Sequence, residues 1–207
     1  MGQIIEFPAQ ASKFGYKRAK KCAKPADDPN QLRLFFQPPA EILNFPSRLS
    51  SFEQALMLDE REDVKAAELY LRAIDEGDCV ADCYCNLGII QSKEGNTARA
   101  FGSFTSALKH NPGHFEAQFN LGNLYFDVDD FRLAQVHYKI AAEIDPSFPN
   151  VYFNLALVEA INSNAKAAVV ALATYRRMVS AEEGRNAEKL LESLISSLNK
   201  AKHQAKG

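Results

Sequence analysis

The sequence contains no tryptophan and only four histidines, four cysteines and three methionines. No stretch approaches the roughly 18 to 20 consecutive apolar residues that a membrane helix requires. The start of the chain also lacks the charged head and apolar core of a signal peptide. We therefore expect a cytoplasmic protein without a membrane segment. The cysteines are too few for a disulfide scaffold.

The residue types that carry chemistry are scattered along the chain. The sequence has neither a Gly-x-Ser-x-Gly motif nor a phosphate-binding loop. Cys79, Cys83 and Cys85 fall within seven residues, but no histidine lies within 20 residues of Cys85 to complete a zinc site. We expect buried thiols, no metal, no cofactor and no enzymatic activity.

The net charge of -2 is unevenly distributed. Residues 1–46 contain seven Lys and Arg against four Asp and Glu, a net +3, whereas the remainder has 17 against 22, a net -5. The first segment also contains six of the nine prolines and shows no hydrophobic period. The pattern predicts a basic, largely disordered or extended tail before an acidic folded body.

The main feature of the body is a 34-residue repeat. Asn86, Asn120 and Asn154 are 34 residues apart, and each begins a copy of Asn-Leu-Gly or Asn-Leu-Ala. The same step aligns four further sets: Gly88, Gly122 and Ala156; Ala100, Ala134 and Ala168; Phe104, Tyr138 and Leu172; Pro112 and Pro146. Apolar positions three or four residues apart predict two amphipathic helices per repeat. Asn96 and Asp130 are predicted N-caps of second helices.

This order of aromatic, Leu-Gly, Tyr, Ala, aromatic, Ala and Pro residues resembles the tetratricopeptide repeat (TPR) family. The resemblance covers about 130 residues and implies an all-α fold, a right-handed superhelical array of about four helix-turn-helix hairpins. We expect the chain to divide into a tail at 1–46, repeats at about 47–80, 81–114, 115–148 and 149–180, and a capping helix with a short tail at 181–207.

The two ends of the array depart from the repeat. In the first repeat, moving the register by two residues aligns Phe52, Ala55 and Leu56 and implies a shortened turn near residues 61–63. Beyond the fourth repeat, one apolar stripe consists of Ala187, Leu190, Leu191, Leu194, Ile195 and Leu198. A stripe with polar residues opposite predicts a helix that covers the open apolar end of the array.

The resemblance places the first helix of each hairpin on the concave surface, a groove that would contain Asn86, Asn120 and Asn154, the asparagine column. An Asn side chain offers one acceptor and two donors, the complement of a peptide unit, so the column can bind an extended backbone of any sequence. The alternative is that these amides bond within the fold or to water.

Other residues on the same surface are expected to contact a bound peptide. They are Lys93, Glu116, Phe119, Asn123, Phe126 and Phe153. The aromatic side chains would be costly to leave exposed, although each could pack on the neighbouring hairpin instead. Asp82 and Glu116 favour a basic or neutral peptide. The carboxylate clamp of chaperone-binding members is excluded, because its cation positions hold Ser51, Glu116 and Asn120.

The basic tail suggests a second function. Residues 13–24 carry six positive charges, with Phe14 and Tyr16 between them: Lys13, Lys17, Arg18, Lys20, Lys21 and Lys24. Such an arm can bind phosphates and stack on bases, although a solvated tail is the simpler interpretation. Residues 31–35 resemble the peptide by which bacterial proteins bind the DNA sliding clamp, apart from Arg33.

The sequence thus leaves three functions open. The leading hypothesis is a bacterial adaptor or scaffold that binds an extended protein segment in its groove. The second is a nucleic-acid-associated regulator that uses the basic arm, and the third is a self-associating assembly factor. An apolar strip at residues 31–45 is expected to pack on the first hairpin or to dock in the groove as an intramolecular ligand.

Overall fold

A computed structural model of the chain describes residues 15–20 and 49–204. These residues form nine α-helices and no strand. The helices are α1 Ser51–Glu60, α2 Lys65–Asp75, α3 Val80–Lys93, α4 Thr97–His110, α5 Phe115–Asp127, α6 Phe131–Ile144, α7 Pro149–Ile161, α8 Ala165–Met178 and α9 Ala181–Gln204. Successive pairs form four hairpins, and α9 packs on α7 and α8. This is the all-α solenoid that the repeat predicts.

Side-chain caps begin the second helix in three of the hairpins. The side chain of Asn96 accepts a hydrogen bond from the backbone N–H of Arg99 at 3.3 Å, and that of Asp130 accepts from Leu133 at 3.0 Å. Both predicted N-caps are therefore confirmed. Asn164 has the same role at the start of α8. Each cap satisfies one of the free N–H groups at a helix start.

The first hairpin differs from the others in a shorter first helix and a turn that is one residue longer. Helix α1 has ten residues, whereas α3, α5 and α7 have thirteen or fourteen. Four residues separate α1 from α2, so the expectation of a shortened turn was wrong. The shifted register does bury Phe52 and Ala55, as predicted. Glu62 in this turn has a φ of 57°, a left-handed conformation that Gly95 adopts in the second hairpin.

The small residues of the repeat make room for aromatic rings within each hairpin. A Cβ atom on Gly88 would lie 2.7 Å from the Phe104 ring, and one on Gly122 would lie 2.7 Å from the Tyr138 ring. These distances are far inside van der Waals contact. In the fourth hairpin the ring is replaced by Leu172, and the glycine position can hold Ala156. The residue at the glycine position can therefore be larger where the residue at the ring position is smaller.

Hydrophobic clusters overlap along the array and end at α9. Ala187 and Leu191 of α9 are buried in a cluster with residues of α7 and α8. The predicted capping helix is thus present. A buried carboxylate at this end of the array is paired, because Glu159 lies 3.1 Å from the Lys139 ammonium and accepts a hydrogen bond from the Asn164 amide at 2.9 Å. Among the described residues, no helix is long and apolar enough to cross a membrane.

Candidate peptide-binding groove

Residues 15–20, which we call the docked segment, lie against the first helices of the hairpins. Asn86 accepts a hydrogen bond from the backbone N–H of Ala19 at 2.8 Å and donates to the Ala19 carbonyl at 2.8 Å. Asn120 makes the same pair of bonds with Lys17, at 2.6 and 2.7 Å. Each amide therefore satisfies both backbone groups of one residue, and the two residues are two positions apart.

The docked segment runs in the direction opposite to the order of the repeats. Lys17 lies at Asn120 of α5, Ala19 at Asn86 of α3, and Lys20 at α1. The segment itself is neither helix nor strand. The backbone groups of Lys17 and Ala19 are bonded by side chains from successive hairpins.

Contacts within the array fix the orientation of both amides. The amide of Asn86 also donates to the Tyr70 hydroxyl at 3.1 Å, and that hydroxyl donates to Asp59 at 3.2 Å. Burial, together with the Asp59 charge, raises the pKa of the Tyr70 phenol, which keeps it protonated as a donor. The amide of Asn120 instead points a hydrogen at Cys85 Sγ, 3.4 Å away. In both cases the oxygen faces the docked segment.

The third member of the asparagine column bonds within the array. Asn154 donates to Asn123 Oδ1 at 3.0 Å and lies 3.4 Å from the Tyr138 hydroxyl. The same hydroxyl donates to Asn123 Oδ1 at 2.7 Å. These bonds orient Asn154 within the array, as the bond to the Tyr70 hydroxyl orients Asn86.

Tyr16 of the docked segment completes the hydrophobic core between the second and third hairpins. Its ring stacks on Phe104 with the centroids 6.1 Å apart and the planes at 13°. Its hydroxyl donates to Asp127 Oδ2 at 2.7 Å and accepts from Ser92 at 2.7 Å. Burial raises the pKa of this phenol well above its ordinary value. The side chain is therefore held as a neutral, hydrogen-bonded ring.

The basic side chains of the docked segment each meet a carboxylate. Arg18 forms a two-pronged ion pair with Asp59, with both N–O distances 2.6 Å. The Asp59 side chain is 5% exposed, so this pair is shielded from water. Lys20 lies 3.1 Å from Glu60 at an exposed position, where such a pair contributes little.

Lys17 meets both a carboxylate and two aromatic rings. Its ammonium is 3.4 Å from Glu116 and lies over the rings of Phe115 and Phe148, 4.3 and 4.4 Å from their centroids. Cation–π attraction adds to the ion pair at such distances. Ala19 has a different environment: it is 1% exposed and belongs to a cluster that includes Cys85. A larger side chain would meet closely packed atoms there.

The aromatic residues that were expected to be exposed in the groove belong largely to the core. Phe119 is 1% exposed and packs on Phe115, Phe148 and Tyr138. Phe153 is 7% exposed and packs on Tyr175. The expectation of bare aromatic rings is therefore corrected for Phe119 and Phe153, because both rings are buried against other rings of the array.

Other residues expected on this surface differ in their surroundings. Phe126 is half-buried with its ring against Phe131, and Lys93 lies 3.5 Å from Glu62. Asp82 is buried, 3.3 Å from the imidazole of His114. It therefore presents less charge to the groove than expected.

The cysteines correct one further expectation. Cys83 and Cys85 are free thiols and buried, and burial raises the pKa of Cys83 to about 12 and that of Cys85 further. Cys79, however, is disulfide-bonded rather than a thiol. In the described ranges, no group of three His, Cys, Asp or Glu side chains is placed to hold a metal ion.

Some predicted residues lie outside the described ones. They are Lys13, Lys21, Lys24, the clamp-like peptide at 31–35 and the apolar strip at 31–45. The groove contacts that the sequence did not indicate come from Asp59, Ser92, Phe115, Asp127 and Phe148. A signal for them existed in the charges, because a short basic stretch precedes a body with a net charge of -5.

Family models decide the identity of the array. Two models described as tetratricopeptide repeat match residues 85–127 and 115–148. The chain is a tetratricopeptide-repeat protein. No curated protein sequence matches it.

Solved structures with the same fold include three other TPR proteins. MamA is 17% identical, with a TM-score of 0.55 over 74% of this chain and 97% of that one. The Thermus thermophilus protein TTC0263 is 18% identical, with a TM-score of 0.56 over 75% and 90%. YrrB, described as having an unusual peptide-binding site, is 19% identical, with a TM-score of 0.56 over 67% and 73%. At these identities the likeness concerns the fold.

Proposed function

We propose that this TPR protein is a non-enzymatic interaction scaffold that binds an extended segment of a partner protein in its groove. The observation that carries the proposal is the pair of two-bond contacts from Asn86 to Ala19 and from Asn120 to Lys17. Bonds to backbone atoms do not depend on the side chains of the bound segment. Residues 15–20 then occupy the site in the free protein, and a partner takes their place.

The charges around the site support a protein ligand over nucleic acid. Carboxylates of Asp59, Glu60 and Glu116 line the groove and would repel phosphates. Lys17 and Arg18, two of the cations in the nucleic-acid hypothesis, are paired with these carboxylates. That hypothesis therefore requires the segment to leave the groove first, and no contact of the described residues favours it.

The test begins with a full-length protein whose groove is open. Replacing Ala19 by Asp puts a charge into a site that is 1% exposed, so the docked segment should leave. Affinity capture with the Ala19→Asp protein, followed by identification of captured proteins and cross-link mapping, should yield a partner whose cross-links map to α3 and α5. The wild-type protein should capture less of it.

Two controls make the result specific. Adding Asn86→Ala and Asn120→Ala to the Ala19→Asp protein should abolish capture, whereas adding Asn162→Ala, on an exposed turn, should not. Circular dichroism and thermal melts confirm that each variant keeps its helices. A partner that is retained by the protein lacking both groove asparagines would refute the proposed mode of binding.

A further inference from the structure

We infer that the groove selects a particular basic peptide: a tyrosine, a lysine, an arginine, a small residue and a basic residue in that order. This inference rests on the proposed function and adds the side-chain preference to it. Residues 16–20 show the preference, since they present this order to the groove. A partner would carry the same chemistry and run from α5 toward α1.

The tyrosine site is built for a phenol and not merely for a ring. Phe104 supplies a stacking surface, while Ser92 and Asp127 offer one donor and one acceptor to the hydroxyl. A phenylalanine would lose both of these bonds. It should therefore bind more weakly than a tyrosine.

The next two sites bind cations, and the second of them favours arginine over lysine. The first site places the lysine ammonium over two rings and beside Glu116, a geometry that attracts a cation. The arginine site presents both oxygens of Asp59 edge-on, and a guanidinium matches them with two parallel bonds. A lysine there would make only one such contact.

The fourth site limits side-chain size. Ala19 is enclosed by the cluster that contains Cys85, Ile89 and Phe104, and its backbone is fixed by Asn86. The peptide backbone cannot move away from this cluster without losing both hydrogen bonds to Asn86. Glycine, alanine or serine should therefore be accepted and leucine rejected.

The experiment uses the full-length Ala19→Asp protein and a blocked synthetic peptide, Gly-Tyr-Lys-Arg-Ala-Lys. Nuclear magnetic resonance titration follows the side-chain amide signals of Asn86 and Asn120 and gives the dissociation constant. Two matched peptides are a scramble of the same composition and a version with leucine in place of alanine. We expect both to bind at least about tenfold more weakly than the ordered peptide, and the tyrosine-to-phenylalanine peptide to bind more weakly as well.

A second open-groove variant, Tyr16→Ser, provides the same measurement if Ala19→Asp fails to fold. The wild-type protein should bind the ordered peptide more weakly than either variant, because its own segment competes. Failure of the ordered peptide to bind a folded variant, or equal affinity for the ordered and scrambled peptides, would overturn the sequence preference.

The proposed function has a separate outcome. Equal peptide affinities that are lost with Asn86→Ala and Asn120→Ala would leave backbone binding intact while removing the preference. Ordered-peptide binding that survives those two substitutions would instead refute backbone binding by the asparagines.

Discussion

The most direct test of the groove geometry is the Asn86→Ala substitution in the otherwise unchanged chain. It removes the two hydrogen bonds between Asn86 and the Ala19 backbone. A net contribution of about 1 kcal/mol per bond gives about 2 kcal/mol for the opening of the docked segment. The population of the open form should therefore rise about 30-fold, since about 1.4 kcal/mol corresponds to a factor of ten.

Native-state hydrogen exchange of the Lys17 amide measures this opening. That N–H is bonded to Asn120 and not to Asn86, so its faster exchange reports opening of the whole segment rather than loss of its own acceptor. We expect about a 30-fold increase in its rate in Asn86→Ala and no change in Asn162→Ala. A Lys17 rate that stays close to that of the wild type, or no protection in the wild type, would refute the reasoning.

Three further predictions concern stability. Gly122→Ala should lower the free energy of unfolding by about 1–3 kcal/mol, because the new Cβ would lie 2.7 Å from the Tyr138 ring. Gly102→Ala is the control and should not be destabilising, because no atom lies near the new Cβ. Thermal melts compare the two variants. Burial lowers the pKa of His137. The unfolding free energy should therefore fall as pH drops below about 6.5, where the unfolded chain binds the proton more readily, and His137→Gln should remove this dependence in denaturant titrations. Lys139→Ala should lower the unfolding free energy by about 1–2 kcal/mol, because the buried Glu159 carboxylate would lose the ammonium beside it. Urea unfolding measures this, and an unchanged midpoint would contradict it.

The repeat spacing was enough to predict the helices, the two N-caps and the ability of the asparagine side chains to bond a peptide backbone. Those features depend on local chemistry, such as the short polar side chain of Asp130 at a helix start. The role of one repeat position depends on three-dimensional packing, which the spacing does not predict. Cys85 leaves space that Ala19 helps to fill, whereas Phe119 and Phe153 at the equivalent positions fill their own space.

The occupant of the groove was harder to predict. The apolar pattern predicts docking for residues 31–45, which lie outside the described ones, but it does not predict that residues 15–20 of the basic stretch lie in the groove. A charge run by itself indicates a solvated face, and only the positions of Asp59, Glu60 and Glu116 in space show that each cation has a counterpart. Those carboxylates come from two different hairpins, so their convergence depends on how the hairpins stack.

The docked segment belongs to the same chain as its groove, and 28 residues separate Lys20 from Leu49. Covalent attachment makes docking an intramolecular event, so the groove meets its own segment at an effective concentration set by the connecting chain. A separate peptide of equal intrinsic affinity would need a comparable concentration to displace half of the docked segments. Under the proposed function, the attachment would therefore set a threshold: abundant but weakly binding basic segments would be excluded, and the groove would open only to a partner that makes additional contacts.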